Sequence, residues 1–134
     1  VVSFIVEDEY GWVTATSPDT GLLLGYIWKT SDYPWLNIWR HVKDGKPFAR
    51  GLEFGTSGLH KPGHDLVVKG RIFDPALYRY IGADEHQALR YAMFLAEIPD
   101  HFAGVKSVSY SDSKITVVET ASERQVSVKA FQLF

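Results

Sequence analysis

Apolar and polar residues alternate along most of the chain, in short runs separated by turn-forming residues. The runs cover residues 1–7, 10–16, 22–29, 36–42, 48–54, 66–73, 104–110, 114–119 and 125–131. Alternation with a period of two is the pattern of a half-buried β-strand. Asp44-Gly45 lies between two of these runs, and this dipeptide is the strongest short signal for a hairpin. We therefore expect the runs on either side of it to pair as antiparallel strands.

Two other segments carry different signals. Residues 55–64 hold three glycines and one proline, which indicates a loop. Residues 84–97 combine helix-forming residues at near-helical spacing with an alternation that equally suits a strand. Because the neighbouring runs all have strand character, we interpret this segment as a strand. Short strands at regular spacing are typical of an antiparallel sandwich or barrel, and the sequence predicts an all-β antiparallel β-sandwich.

Length and composition limit the classes of protein. A chain of 134 residues is enough for one domain, so a single domain over residues 1–134 is predicted. The chain begins Val1-Val2 and its one methionine is Met93, which predicts that it is a fragment of a longer protein. Charged residues make up 22% with a net charge of −2 and interspersed signs, so no nucleic-acid partner is expected.

Several kinds of chemistry have no signature in the sequence. There are no cysteines, which excludes disulfides and thiolate ligands. No apolar run approaches the ~18 residues of a membrane span, so no membrane partner is expected. His60 and His64 are four residues apart, but Pro62 and Gly63 between them prevent a shared helix face. We expect no cofactor and no metal, and the compartment stays open.

Aromatic residues are the first positive signal. Five of them fall within fourteen residues, namely Tyr26, Trp28, Tyr33, Trp35 and Trp39. Aromatic side chains fill the cores of β proteins, and they also form flat platforms on which sugar rings stack. Both interpretations stay open for this cluster.

Glu53 is the one carboxylate in an otherwise mainly apolar, glycine-flanked run. A carboxylate in such surroundings is either paired, for example with Arg50, or partly desolvated, and desolvation raises the pKa toward that of a useful base. Glu53 is therefore the candidate catalytic or ligand-binding residue.

Three stretches resemble the C-terminal part of the aldose 1-epimerase (galactose mutarotase-like) superfamily. They are Gly25-Tyr26-Ile27-Trp28, the segment from Tyr33 to Trp39 (YPWLNIW), and the segment from Pro47 to Gly55 (PFARGLEFG). Gly82-Ala83-Asp84-Glu85 is similar to a turn near the end of that family, and the resemblance spans roughly residues 22–100. It implies a partial β-supersandwich, carbohydrate as the ligand, and Glu53 as the catalytic glutamate.

In that family the glutamate removes the proton of the anomeric hydroxyl while a histidine protonates the ring oxygen. The family's histidines precede the glutamate strand by a long way, whereas no histidine precedes His41 here. The sequence thus predicts a carbohydrate-binding, mutarotase-like domain that is inactive as an isomerase on its own. A non-catalytic carbohydrate-binding sandwich and a small β-barrel for an apolar ligand are the alternatives.

Strand parity suggests where the ligand binds. Trp35, Trp39 and His41 share one face of their strand, and Glu53 lies on the more open face of the returning strand. Arg50 belongs to the other face of that strand, yet Trp39, Arg50 and Glu53 are expected to bound one concave site. These five residues are the predicted site, with Glu53 catalytic and the others binding substrate. An open sheet edge further predicts a homodimer.

Overall fold

The computed structural model describes residues 1–134 and is built mostly of strands. Strands hold 49% of the residues and helix 7%, which confirms the all-β, antiparallel prediction. The strands are β1 (Val2–Ile5), β2 (Tyr10–Ser17), β3 (Leu22–Lys29), β4 (Trp35–Lys43), β5 (Lys46–Gly55), β6 (Tyr91–Glu97), β7 (Val105–Ser111), β8 (Lys114–Glu119) and β9 (Gln125–Lys129). One α-helix, α1 (Gly63–Lys69), and a single 3₁₀ turn, Pro18–Thr20, complete the elements.

The strands form three antiparallel sheets of three strands each. Their orders are β1-β4-β5, β2-β3-β6 and β7-β8-β9. Each sheet is open and has two edge strands, so the small closed barrel that the sequence left as an alternative is not formed. The fold is sandwich-like.

The chain divides into two compact units that are interleaved along the sequence. The first takes Val1–Gly11 and Lys29–Leu89, and the second takes Trp12–Trp28 and Arg90–Phe134. This division does not decide whether the two units form one domain, so the single domain over residues 1–134 stays a prediction.

The first unit contains the sheet β1-β4-β5 and α1. Its core is the cluster of Trp35, Leu66 and Leu77, against which Ile5, Leu59 and Ile72 pack. The second unit contains most of the sheet β2-β3-β6 and all of β7-β8-β9, with β6 in contact with β9. Its most deeply buried side chains are Leu23, Ile27, Trp28, Ile115 and Val117.

The hairpin of β4 and β5 forms where the sequence predicts it. Asp44 and Gly45 have φ angles of 51° and 74°, the pair of left-handed conformations that a two-residue type I′ turn requires. The register shifts between His41 and Val42, whose partners are Ala49 and Pro47. This bulge leaves Phe48 as the extra residue on β5.

The strand predicted over residues 66–73 is wrong, because the segment begins as α1. The run Leu66-Val67-Val68 looks like a strand, but only Leu66 is buried, in the cluster with Trp35 and Leu77. One buried side chain per turn suits a surface helix. The helix ends at Lys69, and the residue that caps it, Gly70, has a φ of 76°. The segment 84–97 is a strand from Tyr91 onward, as the interpretation of its context predicts.

Candidate functional site

Glu53 and Trp39 meet on one face of the sheet β1-β4-β5. The register places Glu53 opposite Asn37 and Gly51 opposite Trp39, so the two side chains are diagonal neighbours. Trp39 donates its Nε1–H to Glu53 Oε1 at 2.7 Å. This confirms that parity correctly brings these two residues together. This hydrogen bond orients the indole and the carboxylate relative to each other.

Gly51 provides the surface on which the Trp39 ring lies. A Cβ atom at Gly51 would stand 1.7 Å from Trp39 Nε1 and less than 2.5 Å from two ring carbons. The five-membered ring therefore lies directly across the backbone of Gly51. One face of the ring is covered by the strand, and the other points away from the sheet.

The loop between β5 and α1 is fixed to the sheet by hydrogen bonds. Ser3 donates its hydroxyl to Asn37 Oδ1 at 2.5 Å and accepts the backbone N–H of Leu59 at 3.2 Å. The Asn37 side-chain amide donates to the carbonyl of Ser57 at 3.3 Å. These contacts hold the segment just before His60 close to Glu53.

His60 completes the group. Its Nε2 lies 3.6 Å from Glu53 Oε2, the carboxylate oxygen that Trp39 does not use. The His60 and Glu53 side chains are 55% and 48% exposed. Both therefore have open surface for a ligand. We call Trp39, Glu53 and His60 the indole–carboxylate site.

The same face of the hairpin continues toward the turn. The rings of His41 and Phe48 meet edge to face with centroids 5.7 Å apart. Lys43 Nζ lies 5.8 Å from the Phe48 centroid, a cation–π arrangement. Phe48 is 68% exposed although it is a large apolar residue.

Three of the five predicted site residues lie on this face with exposed or half-exposed side chains. Glu53 and Trp39 are in contact, and His41 lies two residues nearer the turn. Trp35 is a correction, because its side chain is 2% exposed and belongs to the core. Gly58 packs against the Trp35 ring, and Trp35 donates its Nε1–H to the Ala76 carbonyl at 2.7 Å. No surface of Trp35 is left for a ligand.

Arg50 is the second correction. It lies opposite Arg40 in the register, one residue out of phase with Gly51 and Glu53. Successive side chains of a strand point to opposite faces, so Arg50 projects from the face that Glu53 does not use. Arg50 and Glu53 therefore do not bound one site.

Sequence reasoning missed His60 and the role of Gly51. The hairpin register places Gly51 opposite Trp39, so the role of Gly51 follows once that register is known. His60 had no such signal, because it lies in a loop whose path depends on Ser3 and Asn37 from two distant strands.

Glu119 in the second unit is the one buried charged side chain, with 3% exposure. Its carboxylate accepts hydrogen bonds from the Ser122 hydroxyl and, at 2.8 Å, from the Ala103 N–H. The pKa of Glu119 lies below its ordinary value, chiefly because of the Ser122 bond and then because of the Ala103 bond. Burial raises the pKa and the nearby Arg124 charge lowers it further, so the net shift is downward. The chain's own donors occupy this carboxylate, which makes it a structural group.

No group of three or more histidine, aspartate or glutamate side chains has the geometry of a metal centre. No helix has the length and apolar character that crossing a bilayer requires. No family model matches the chain, and neither a curated protein nor a solved structure is significantly similar to it. Kinship with the aldose 1-epimerases therefore stays a prediction.

Proposed function

We propose that this chain binds carbohydrate, without transforming it, at the indole–carboxylate site of Trp39, Glu53 and His60. The observation that carries the proposal is the Trp39 ring, which lies across Gly51 and is oriented by its hydrogen bond to Glu53. A tryptophan in a fixed orientation, with one face turned away from the sheet, is a preformed stacking surface.

The chemistry of the three groups complements that of a sugar. A pyranose has an apolar C–H face, which stacks on an aromatic ring, and hydroxyls around its edge. Glu53 Oε2 is free of the Trp39 bond and accepts hydrogen bonds from hydroxyls, while the imidazole of His60 supplies a donor or an acceptor. A flat apolar surface beside a few oriented polar groups is the usual composition of a small-ligand site.

The open geometry favours binding of modest affinity. Both polar side chains are about half exposed, so water competes for their hydrogen bonds. We expect dissociation constants for single sugars near 1 mM, which correspond to about −4 kcal/mol. Oligosaccharides that also reach Phe48 bind more tightly.

Tryptophan fluorescence tests the proposal. A panel of neutral mono- and oligosaccharides is titrated into the protein at millimolar concentrations, and the expected result is a saturable quench or shift of the emission. Trp39→Ala weakens the response, whereas Trp12→Ala, a change to a half-buried tryptophan on β2, leaves it in place. Equal responses from the two variants, or no response to any sugar, would reject the site.

Aldose 1-epimerase activity is the second candidate, favoured by the closeness of an imidazole to a carboxylate. Mutarotation needs a base at the anomeric hydroxyl and an acid at the ring oxygen, two different atoms of the substrate. The Glu53 and His60 side chains are 48% and 55% exposed, so both stay in contact with water rather than in the closed, water-excluding site that favours acid–base catalysis. Binding without catalysis is therefore the better-supported function.

Polarimetry distinguishes the two candidates. Fresh α-D-glucose and α-D-galactose are expected to equilibrate at the same rate with and without the protein. An acceleration that Glu53→Gln abolishes and Trp12→Ala preserves would instead establish an isomerase.

A further inference from the structure

The distal half of the β4–β5 hairpin is basic, in contrast to the rest of the chain. Residues 40–50 carry four cationic side chains and a single carboxylate, Asp44, whereas the whole chain has a net charge of −2. The four cationic residues are all exposed, and they are Arg40, Lys43, Lys46 and Arg50. We call this segment the basic arm.

The cations of the basic arm are arranged as two like-charged pairs across the hairpin. Arg40 lies opposite Arg50, and Lys43 lies opposite Lys46. Like charges directly opposite each other on neighbouring strands destabilise a sheet. The ion pairs His60–Glu53 and Lys106–Glu123 involve none of these residues. Asp44 is the one carboxylate among the four cations of the arm, so the arm keeps a net positive charge that an anionic ligand would offset.

The lysine pair lies on the face of the indole–carboxylate site. Lys43 is four residues from Trp39 on β4 and faces the same way, and Lys46 shares this face because it is the direct partner of Lys43. Lys43 Nζ also lies 5.8 Å from the Phe48 ring centroid. The arginine pair projects from the opposite face. One face of the hairpin thus carries a carboxylate, an indole, a second exposed aromatic ring and two cations in that order.

This surface has the length of a polymer site. Asn37 lies opposite Glu53, and Lys43 is six positions further along β4, so the face extends about 20 Å at ~3.3 Å per residue. A single sugar cannot reach from Glu53 to the lysines, whereas several linked rings can.

We propose that the β4–β5 hairpin selects acidic polysaccharides, whose sugar rings stack on Trp39 and Phe48 and whose carboxylate or sulfate groups contact Lys43 and Lys46. This inference rests on the proposed function and adds the class of sugar to it. Glu53 favours a polysaccharide over DNA on this face, because each ring of an acidic polysaccharide still offers hydroxyls to the carboxylate, whereas the sugars within a DNA strand offer none. The acid groups that contact Lys43 and Lys46 are those of the rings near the turn.

The test compares four polymers under the same conditions. They are polygalacturonate, which carries carboxylates, heparin, which carries sulfates, dextran, which is neutral, and the oligonucleotide (dT)20. Dissociation constants are measured by calorimetry at 20 mM and 200 mM salt. At least one acidic polysaccharide is expected to bind about tenfold or more tightly than dextran at low salt. This advantage shrinks at high salt, because screening weakens contacts between exposed charges.

Charge variants locate the contact. Lys43→Gln/Lys46→Gln removes the lysine pair and is expected to abolish most of the preference for acidic polymer. Lys114→Gln/Lys129→Gln is the matched control, because these exposed lysines also lie opposite each other, on β8 and β9 in the second unit. The control is expected to bind as the unmodified protein does. If both variants lose the same affinity, the attraction is general and the inference is wrong.

The remaining outcomes separate the two proposals. If dextran binds as tightly as the acidic polymers and the fluorescence response depends on Trp39, the inference fails and the proposed function stands. If no polysaccharide binds, both fail. If (dT)20 binds more tightly than either acidic polysaccharide and Lys43→Gln/Lys46→Gln removes that binding, the basic arm is a nucleic-acid site and the inference is overturned.

Discussion

Gly51 allows the Trp39 ring to lie against the backbone of β5. Any Cβ at this position would stand 1.7 Å from Trp39 Nε1, and the obstacle is the body of the ring rather than the end of a flexible chain. Gly51→Ala is therefore expected to displace the indole and break its hydrogen bond to Glu53. We predict a change in tryptophan emission and a loss of sugar affinity of about tenfold, or ~1.4 kcal/mol.

Gly55→Ala is the control for this change, because the nearest atom to its Cβ, the Ser57 carbonyl oxygen, is 3.6 Å away. Both substitutions lie on β5 and add the same methyl group. If the two variants bind sugar equally well, the Trp39 ring has no need of Gly51, and the preformed surface that carries the proposed function is absent.

Glu119 makes stability depend on pH in the second unit. Its pKa in the folded chain lies below the ordinary value, so the ionised form is the one that folding stabilises. This contribution is fully present above the unfolded pKa of about 4.3 and is lost as the pH falls through the lower folded pKa. Glu119→Gln is expected to be less stable than the unmodified chain at pH 7, and the difference should narrow toward pH 3.

Urea unfolding at several pH values measures this effect. The control is Glu123→Gln, because Glu123 is 70% exposed and forms only a surface ion pair with Lys106. A difference between Glu119→Gln and the unmodified chain that stays constant from pH 7 to pH 3 would show that the carboxylate charge plays no part.

At the residue scale, the sequence predicted those contacts that depend on strand parity alone. Trp39 and Glu53 follow from the period of two and the position of the Asp44-Gly45 turn. Trp35 has the same parity, yet it is buried because residues 56–62 fold back and place Gly58 on its ring. Strand parity predicts which face of the sheet a side chain occupies, but it does not predict which loop packs on that face. His60 lies on such a loop, so parity could not predict its place beside Glu53.

At the scale of elements, α1 depends on a single buried side chain. Leu66 packs with Trp35 and Leu77, whereas Val68 on the same helix is 74% exposed. Leu66→Ala is expected to lower the free energy of unfolding by about 2–3 kcal/mol through lost burial and the cavity left behind. Val68→Ala should change it by less than about 0.5 kcal/mol.

Denaturant unfolding of the two variants tests this difference. Both remove apolar atoms from positions two residues apart on one short helix, so they differ mainly in burial. If Leu66→Ala is as stable as Val68→Ala, the cluster of Trp35, Leu66 and Leu77 does not hold α1 in place.

Residues of the turn itself determine the β4–β5 hairpin, whereas residues distant in the sequence determine α1. Asp44 and Gly45 adopt the two left-handed conformations that the turn needs, and both residues tolerate them, so four or five residues are enough to predict the hairpin. The Leu66-Val67-Val68 run contains β-branched residues that favour strands. Only the distant partners Trp35 and Leu77 make a helix the better way to bury Leu66, and no local pattern reveals them.

At the scale of the whole molecule, the cadence of alternating runs predicted an all-β chain but not its division into units. The strands that define the units pair across long separations, β1 with β4 and β3 with β6. Such pairings depend on which strands meet rather than on any local period. The residues that lie between Trp12 and Trp28 thus belong with those after Leu89.

This interleaving predicts which truncations the fold tolerates. A chain of residues 1–89 retains β3 but lacks β6, with which β3 pairs from Leu22 to Trp28. Leu23 and Ile27, fully buried in the intact chain, would lose the strand beside them and the core of the second unit. Exposed apolar strands with free edges aggregate. We expect residues 1–89 to be recovered as aggregate, whereas residues 1–129, which keep all nine strands, should stay soluble with a β-rich circular dichroism spectrum. A soluble, monomeric 1–89 chain in size-exclusion chromatography would show that β3 has no need of β6, and the division of the molecule into these two units would have to be redrawn.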